Sequence, residues 1–206
     1  LISSEGVKII NLSMGNSYTN DQAKELAGKD EQQINNFVND SKKTWIPFLK
    51  SLKANESTSD FLIIQAAGNN DIDARWTGSF CDIDESEFKS NILIVGGCIL
   101  SNGQYIKSDI SDYGTQVDVT APGENIHSIV WPNILSLSNT GDGTSFAAPF
   151  VTGTAGLIAG VNPNLSCSQI RQIILDTSNE AFTYNGMTYN IPDAGAAVKK
   201  ALELKA

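Results

Sequence analysis

Apolar residues along the chain fall into two spacings. Val7-Lys8-Ile9-Ile10-Asn11-Leu12, Phe61-Leu62-Ile63-Ile64-Gln65-Ala66-Ala67, Asn91-Ile92-Leu93-Ile94-Val95 and Gln116-Val117-Asp118-Val119-Thr120-Ala121 are short runs that close on Ser-Met-Gly, Gly-Asn, Gly-Gly or Pro-Gly. That pattern predicts buried strands ending in tight turns. Between the first two runs the spacing becomes helical: Ile34, Phe37 and Val38 form one stripe, and Trp45, Phe48, Leu49 and Leu52 form a second. The second stripe predicts a crossover helix capped by Thr44 with Pro47 in its first turn. Asn16 to about Ser41 then reads as an insertion, either the rim of a cleft at the strand ends or a plain surface elaboration. Later, Ser166-Cys167-Ser168-Gln169 is a capping box with Leu165 and Ile170 placed as a hydrophobic staple, and a last helix is predicted from about Ala196 to Leu202. Strands alternating with helices predict an α/β fold with a mostly parallel sheet and its site at the carboxyl ends of the strands.

Composition narrows the function classes. A chain of 206 residues with 41% hydrophobic content can bury one substantial core, and no linker or repeat divides it. Its net charge of −9 argues against nucleic acid or an anionic membrane as partner. No apolar run approaches the ~18 residues of a membrane span, so none is expected. Cys81, Cys98 and Cys167 form no Cys-x-x-Cys pattern, and an odd count leaves at least one unpaired within the chain. Cys98 ends an apolar strand and reads as a small buried hydrophobe.

The candidate chemistry lies in Gly143-Thr144-Ser145-Phe146-Ala147-Ala148-Pro149-Phe150-Val151-Thr152-Gly153. Ser145 falls between a glycine-led turn and an Ala-rich apolar helix, in a first turn whose unpaired N–H groups and dipole favour negative charge. Pro149 is read as lying within the opening turns, where a missing N–H costs little, and Gly153 and Gly156 as keeping the helix slim enough to be buried. The ordered motif G-T-S-x-A-x-P followed by x-V-x-G resembles the active-site serine segment of the subtilisin-like serine proteases, the subtilases. Ala66-Ala67-Gly68-Asn69 resembles the family's segment whose asparagine donates a hydrogen bond to the oxyanion, and Asn69 matches that position. Ser13-Met14-Gly15 resembles the end of the substrate-binding strand. By resemblance Ser13, Met14 and Gly15 form one wall of the cleft and Ala66, Ala67 and Gly68 the other, with a peptide added between them as a strand. Met14 and the two alanines suggest an apolar guest. Ser108-Asp109-Ile110-Ser111-Asp112-Tyr113-Gly114 resembles the family's F-S-N-Y-G-type turn with aspartates where other side chains are usual, Asp118 reads as structural, and Phe150 stands where many relatives carry histidine.

The resemblance implies a three-layer sheet with helices on both faces, present only in its later part, so that residues 1–206 are a partial catalytic domain. The implied activity is serine-type endopeptidase through an acyl-enzyme on Ser145. A base must take the serine proton and an acid must orient that base; in the family both precede the serine in chain order. The single histidine, His127, sits in Asn125-Ile126-His127-Ser128-Ile129-Val130, where the family has a strand residue and not the base. The expectation is therefore a longer parent enzyme whose Asp and His lie upstream, with this chain inactive alone; the alternative is a catalytically dead peptide-binding scaffold. The strand Val7 to Leu12 should expose an edge, inviting self-association, strand exchange or a separate N-terminal fragment. Calcium is the cofactor the resemblance implies. Asp71, Asp73, Asp82, Asp84 and Glu85 offer oxygen ligands without EF-hand spacing, and as solvated loop charges they need no metal. A secreted or extracytoplasmic location is likewise implied by resemblance.

Overall fold

The computed structural model describes residues 8–78, 80–81, 87–127 and 140–205. Val7, the acidic residues Asp82, Asp84 and Glu85, and Ser128 to Val130 lie outside them. Strand β1 (Ile9–Leu12) leads through helices α1 (Asn20–Ala27) and α2 (Glu31–Lys53) to β2 (Leu62–Ala66), then β3 (Ile92–Ser101), β4 (Gln104–Lys107) and β5 (Val119–Pro122). β1, β2, β3 and β5 run parallel in that order, while β4 folds back antiparallel on the second half of β3. A short ribbon of β6 (Ile126–His127) and β7 (Thr140–Gly141) precedes helices α3 (Thr144–Val161) and α4 (Cys167–Asp176), the hairpin β8 (Asn179–Tyr184) and β9 (Met187–Ile191), and helix α5 (Ala194–Glu203).

The period of two along the strands divides the core into two layers. Leu62, Ile64, Ala66, Leu93, Val95 and Val119 face α3, α4 and α5. Ile63, Ala67, Ile92 and Ile94 face Leu49 and Leu52 of α2 with Phe61, Phe80 and Phe88. Each fully buried Leu, Ile or Phe contributes about 1.5–3 kcal/mol of transfer free energy, so the three-layer arrangement is what makes runs apolar on both faces worth forming. Asp118 ties α4 to the sheet: Arg171 donates to its Oδ1 at 2.6 Å, and the Ile94 N–H to its Oδ2 at 2.8 Å. Cys81, Cys98 and Cys167 are buried thiols; burial pushes the Cys98 thiol up to about 11.

Several expectations need correction. The two stripes between β1 and β2 belong to one helix, α2, capped by Asp30 in a box with Gln33. Thr44 is interior to it, and no break falls at Ser41. Val38 and Trp45 are close to two turns apart, so the stripes continue one another, and anchors on both sides of Pro47 hold the helix across the missing bond: Ile34 and Val38 against Trp76, Leu49 and Leu52 against Phe61. Two hairpins, β3–β4 and β8–β9, turn at Asn102-Gly103 and Asn185-Gly186, all four residues at positive φ. The Asn-Gly signal for them was in the sequence.

Helix α3 is buried on one side only. Ala147, Ala148, Val151, Ala155 and Ile158 pack on the sheet, whereas Phe150, Gly153, Gly156 and Leu157 are exposed, and a Cβ at either glycine would meet nothing within 4 Å. Among the described residues no element covers that face. With 18 residues and a mean hydropathy of 1.3, α3 is also long and apolar enough to cross a membrane by length and composition, a match its Ala and Gly content hid from a search for unbroken apolar runs. Its apolar side is spent on the sheet. β1 pairs only with β2 among the described residues, leaving its other edge open there, as expected.

Candidate active site

The turn after β2 and the mouth of α3 meet at one threonine. Thr144 donates its N–H to Asn69 Oδ1 at 2.7 Å, and its hydroxyl accepts the Gly68 N–H at 3.1 Å while donating to the same Oδ1 at 2.9 Å. Because the Thr144 N–H can be met only by an acceptor, the Asn69 amide can take only one orientation, and Nδ2 is the end left over. Gly143 lies beneath it with φ 140°, where an added Cβ would press on Nδ2 at 3.2 Å. The backbone therefore admits glycine for both its conformation and the space.

Ser145 is the second residue of α3 and half-buried. The Phe146 N–H returns to the Gly143 carbonyl at 2.9 Å, and the Thr144 N–H goes to Asn69. Among the described residues the Ser145 N–H has no acceptor, and no side chain hydrogen-bonds its Oγ. Ser145, Thr144, Asn69, Gly68 and Ala66 line a cleft of about 510 Å³ with Ser13, Met14 and Gly15 from the end of β1. An N–H of a first helical turn and a side-chain amide thus flank a hydroxyl in one hollow, an arrangement that favours developing negative charge.

Pro149 proves more consequential than its sequence suggests. It is the sixth residue of α3, past the turn whose N–H groups are orphaned anyway. A residue there would normally donate to the Ser145 carbonyl; proline leaves that oxygen free, and Ser13 Oγ donates to it at 2.9 Å. Ser13 is itself held by Asn11 Nδ2 at 2.9 Å, and Asn11 Oδ1 by the Thr152 hydroxyl at 3.0 Å. The missing backbone bond is replaced by a side-chain relay fastening one cleft wall to the helix bearing Ser145.

Of the expected site residues, Ser145, Asn69, Ser13, Met14, Gly15, Ala66 and Gly68 converge on the cleft. Ala67 does not line it. Alternation along the strand turns its side chain into the opposite core layer with Ile63 and Phe80. Met14 is 68% exposed at the mouth, next to a second hollow of about 370 Å³ lined by Ile10, Leu12, Trp45, Phe48 and Phe80. Residues that sequence reasoning missed are Thr144, Asn11 and Thr152, whereas the stretch Asn16 to Tyr18 opens the insertion expected beside the wall of Ser13, Met14 and Gly15. That stretch lines the cleft and is fastened to its floor: Asn70 Nδ2 donates to the Tyr18 carbonyl at 3.0 Å and the Tyr18 hydroxyl to the Trp76 carbonyl at 2.6 Å. Only the opposing turn, distant in sequence, gives these residues their place. His127 lies in the β6–β7 ribbon, exposed, and does not line the cleft.

Of the five acids offered for calcium, only Asp71 and Asp73 are among the described residues. Asp71 is paired with Lys107 at 2.8 Å and Asp73 with Arg75 at 2.6 Å, and among the described residues no three His, Cys, Asp or Glu side chains cluster as metal ligands.

Known proteins resemble this chain in sequence and in fold. The chain is 30% identical over 139 residues to subtilisin DY of Bacillus licheniformis, covering 66% of this chain and 47% of that protein. It is 31% identical over 136 residues to a thermostable alkaline protease of Halalkalibacterium halodurans, covering 63% of this chain and 31% of that protein. It therefore spans half or less of the curated relatives it matches. Among solved structures, the A-subunit of the AB5 toxin from E. coli superimposes with a TM-score of 0.67 at 21% identity, over 95% of this chain and 60% of that one. A cold-adapted subtilisin-like serine proteinase superimposes with a TM-score of 0.55 at 22% identity, over 89% of this chain and 53% of that one. These likenesses establish a subtilisin-like fold. The sequence profile of the Subtilase family matches residues 1–196, and the chain belongs to that family.

Proposed function

We propose that this chain carries the nucleophile, the oxyanion site and part of the substrate cleft of a serine endopeptidase. Ser145 Oγ attacks the peptide carbonyl carbon, forming a C–O bond while its proton passes to a base; the amine then leaves with that proton, and water releases the acyl group by the reverse sequence. The oxyanion of each tetrahedral intermediate is held by Asn69 Nδ2 and the Ser145 N–H. The ends of β1 and β2 take the peptide backbone as an added strand. The base and its orienting acid come from a part of the protein outside these 206 residues. A secreted or extracytoplasmic location belongs to the same reading.

The observation that carries this proposal is the pinning of Asn69 Oδ1 by Thr144, which leaves an amide donor in the same cleft as Ser145. The test uses the whole protein. A fluorophosphonate probe should label Ser145, identified by peptide mass spectrometry, and peptide hydrolysis should disappear in Ser145→Ala. Asn69→Ala should lower kcat by roughly 10²–10³-fold, the loss already familiar from this family's own oxyanion asparagine. A whole protein that binds peptides but neither labels nor cleaves would instead be a peptide-binding scaffold.

A further inference from the structure

Beneath the cleft lies a buried pair that the chemistry above does not use. Asp112 is 2% exposed. Its Oδ1 accepts the N–H groups of Asn70 at 2.8 Å and Ile72 at 3.1 Å, and its own N–H donates to the Gly68 carbonyl at 2.9 Å. One residue thus grips the Asn69 turn from both sides. So close is the carboxyl to Gly68 that a Cβ there would fall 2.1 Å from Oδ2.

Oδ2 faces the hydroxyl of Thr77 at 2.9 Å, and the same hydroxyl contacts the Ala67 carbonyl. Thr77 has one proton to give, and both neighbours are acceptors while Asp112 is ionised. All three oxygens are satisfied only when the carboxyl carries a proton, so that Asp112 donates to Thr77 and Thr77 to Ala67. Burial pushes the carboxyl in that direction, to about 6, against the Ile72, Asn70 and Thr77 hydrogen bonds and the charge of Lys107. The other charged and titratable groups around it are Asp71, paired with Lys107; Asp73, paired with Arg75; and the Tyr18 and Tyr113 hydroxyls. Thr77 also reaches the opposite wall. Its methyl lies 2.3 Å from where a Cβ on Gly15 would stand, and its carbonyl accepts the Asn16 N–H at 2.9 Å.

We propose that Asp112 and Thr77 are a positioning pair that shares one proton, setting the orientation of the Asn69 turn and the spacing between the two walls of the cleft. The catalytic consequence rests on the function proposed above; the proton sharing does not.

The test is a pH titration by NMR of the whole protein as Ser145→Ala, following the Asp112 carboxyl carbon, the Asn69 side-chain amide and the Asn70 and Ile72 backbone amides. A common midpoint near 6 is expected, and Asp112→Asn, which mimics the protonated acid, should abolish it while keeping the low-pH positions. In the active protein Thr77→Val, which keeps the shape but not the hydroxyl, should lower kcat roughly tenfold, whereas Thr77→Ser, which keeps the hydroxyl but not the methyl, should raise KM with kcat within about twofold. A carboxyl titrating near the ordinary 3.8 with the Asn69 amide unmoved overturns the pair without reference to any variant. Thr77→Val indistinguishable from Thr77→Ser overturns the split of roles. Absence of peptide cleavage by the unmodified protein defeats the proposed function and leaves the NMR titration to decide the pair.

Discussion

Asp112 and Asp118 stand six residues apart in one stretch of chain and are held in opposite ways. Asp118 faces a cation, the Arg171 guanidinium, which also donates to the Ile92 carbonyl at 2.6 Å. Asp112 receives two N–H groups at Oδ1 and faces the Thr77 hydroxyl with Oδ2, with no cation in hydrogen-bonding contact. The first carboxylate is a post joining a helix to the sheet and does not line the cleft. The second lies under the cleft and is satisfied best when neutral. A buried acid without a cation is costly to ionise, so its protonation becomes part of the local geometry, whereas an acid beside a buried arginine is bound up with that arginine's own burial.

The comparison is broken most severely by removing the post. In the whole protein, with Ser145→Ala preventing self-digestion, Asp118→Ala should destabilise by about 3–5 kcal/mol, because a nearly buried guanidinium loses its counter-charge; urea unfolding measures this. A smaller effect comes from pH. The Asp112 carboxyl in the folded protein lies at about 6, above its ordinary 3.8. Folding therefore favours the proton: this stabilisation is complete below the unfolded value and is lost as pH rises through 6, up to roughly 3 kcal/mol in all. Asp112→Asn should flatten the stability profile between about pH 4 and pH 7, and an unchanged profile would show that another group sets it. Smallest of all, Ser13→Ala should cost about 1 kcal/mol by leaving the Ser145 carbonyl without its donor. Restoring an N–H with Pro149→Ala in that background should recover part of the loss.

The parallel strands were legible because β-branched runs closed by glycine are apolar on both faces, and the α4 capping box because its four residues are contiguous. Ser145 and Asn69 were legible as well, since each sits in a short ordered motif. The continuity of α2 was not. Thr44 and Pro47 are local start signals, and packing of Leu49 and Leu52 under the sheet overrode them. The open face of α3 escaped for a related reason: small residues suit close packing, but whether anything packs there is decided by other segments. Family resemblance places Ala67 in the cleft wall with Ala66 and Gly68, and strand alternation turns it the other way.

By itself the sequence determined the fold class, the family and the two groups that meet in the cleft, because these follow from local periodicity and from contiguous motifs. Only the tertiary structure decided which atoms those groups present and what holds them: the Thr144 clasp on Asn69, the Ser13 hydroxyl replacing the bond Pro149 cannot make, and the Asp112–Thr77 contact under both walls. Each joins residues far apart in the chain through hydrogen bonds whose strength depends on distance, direction and burial, and no pattern along a single strand or helix encodes those quantities.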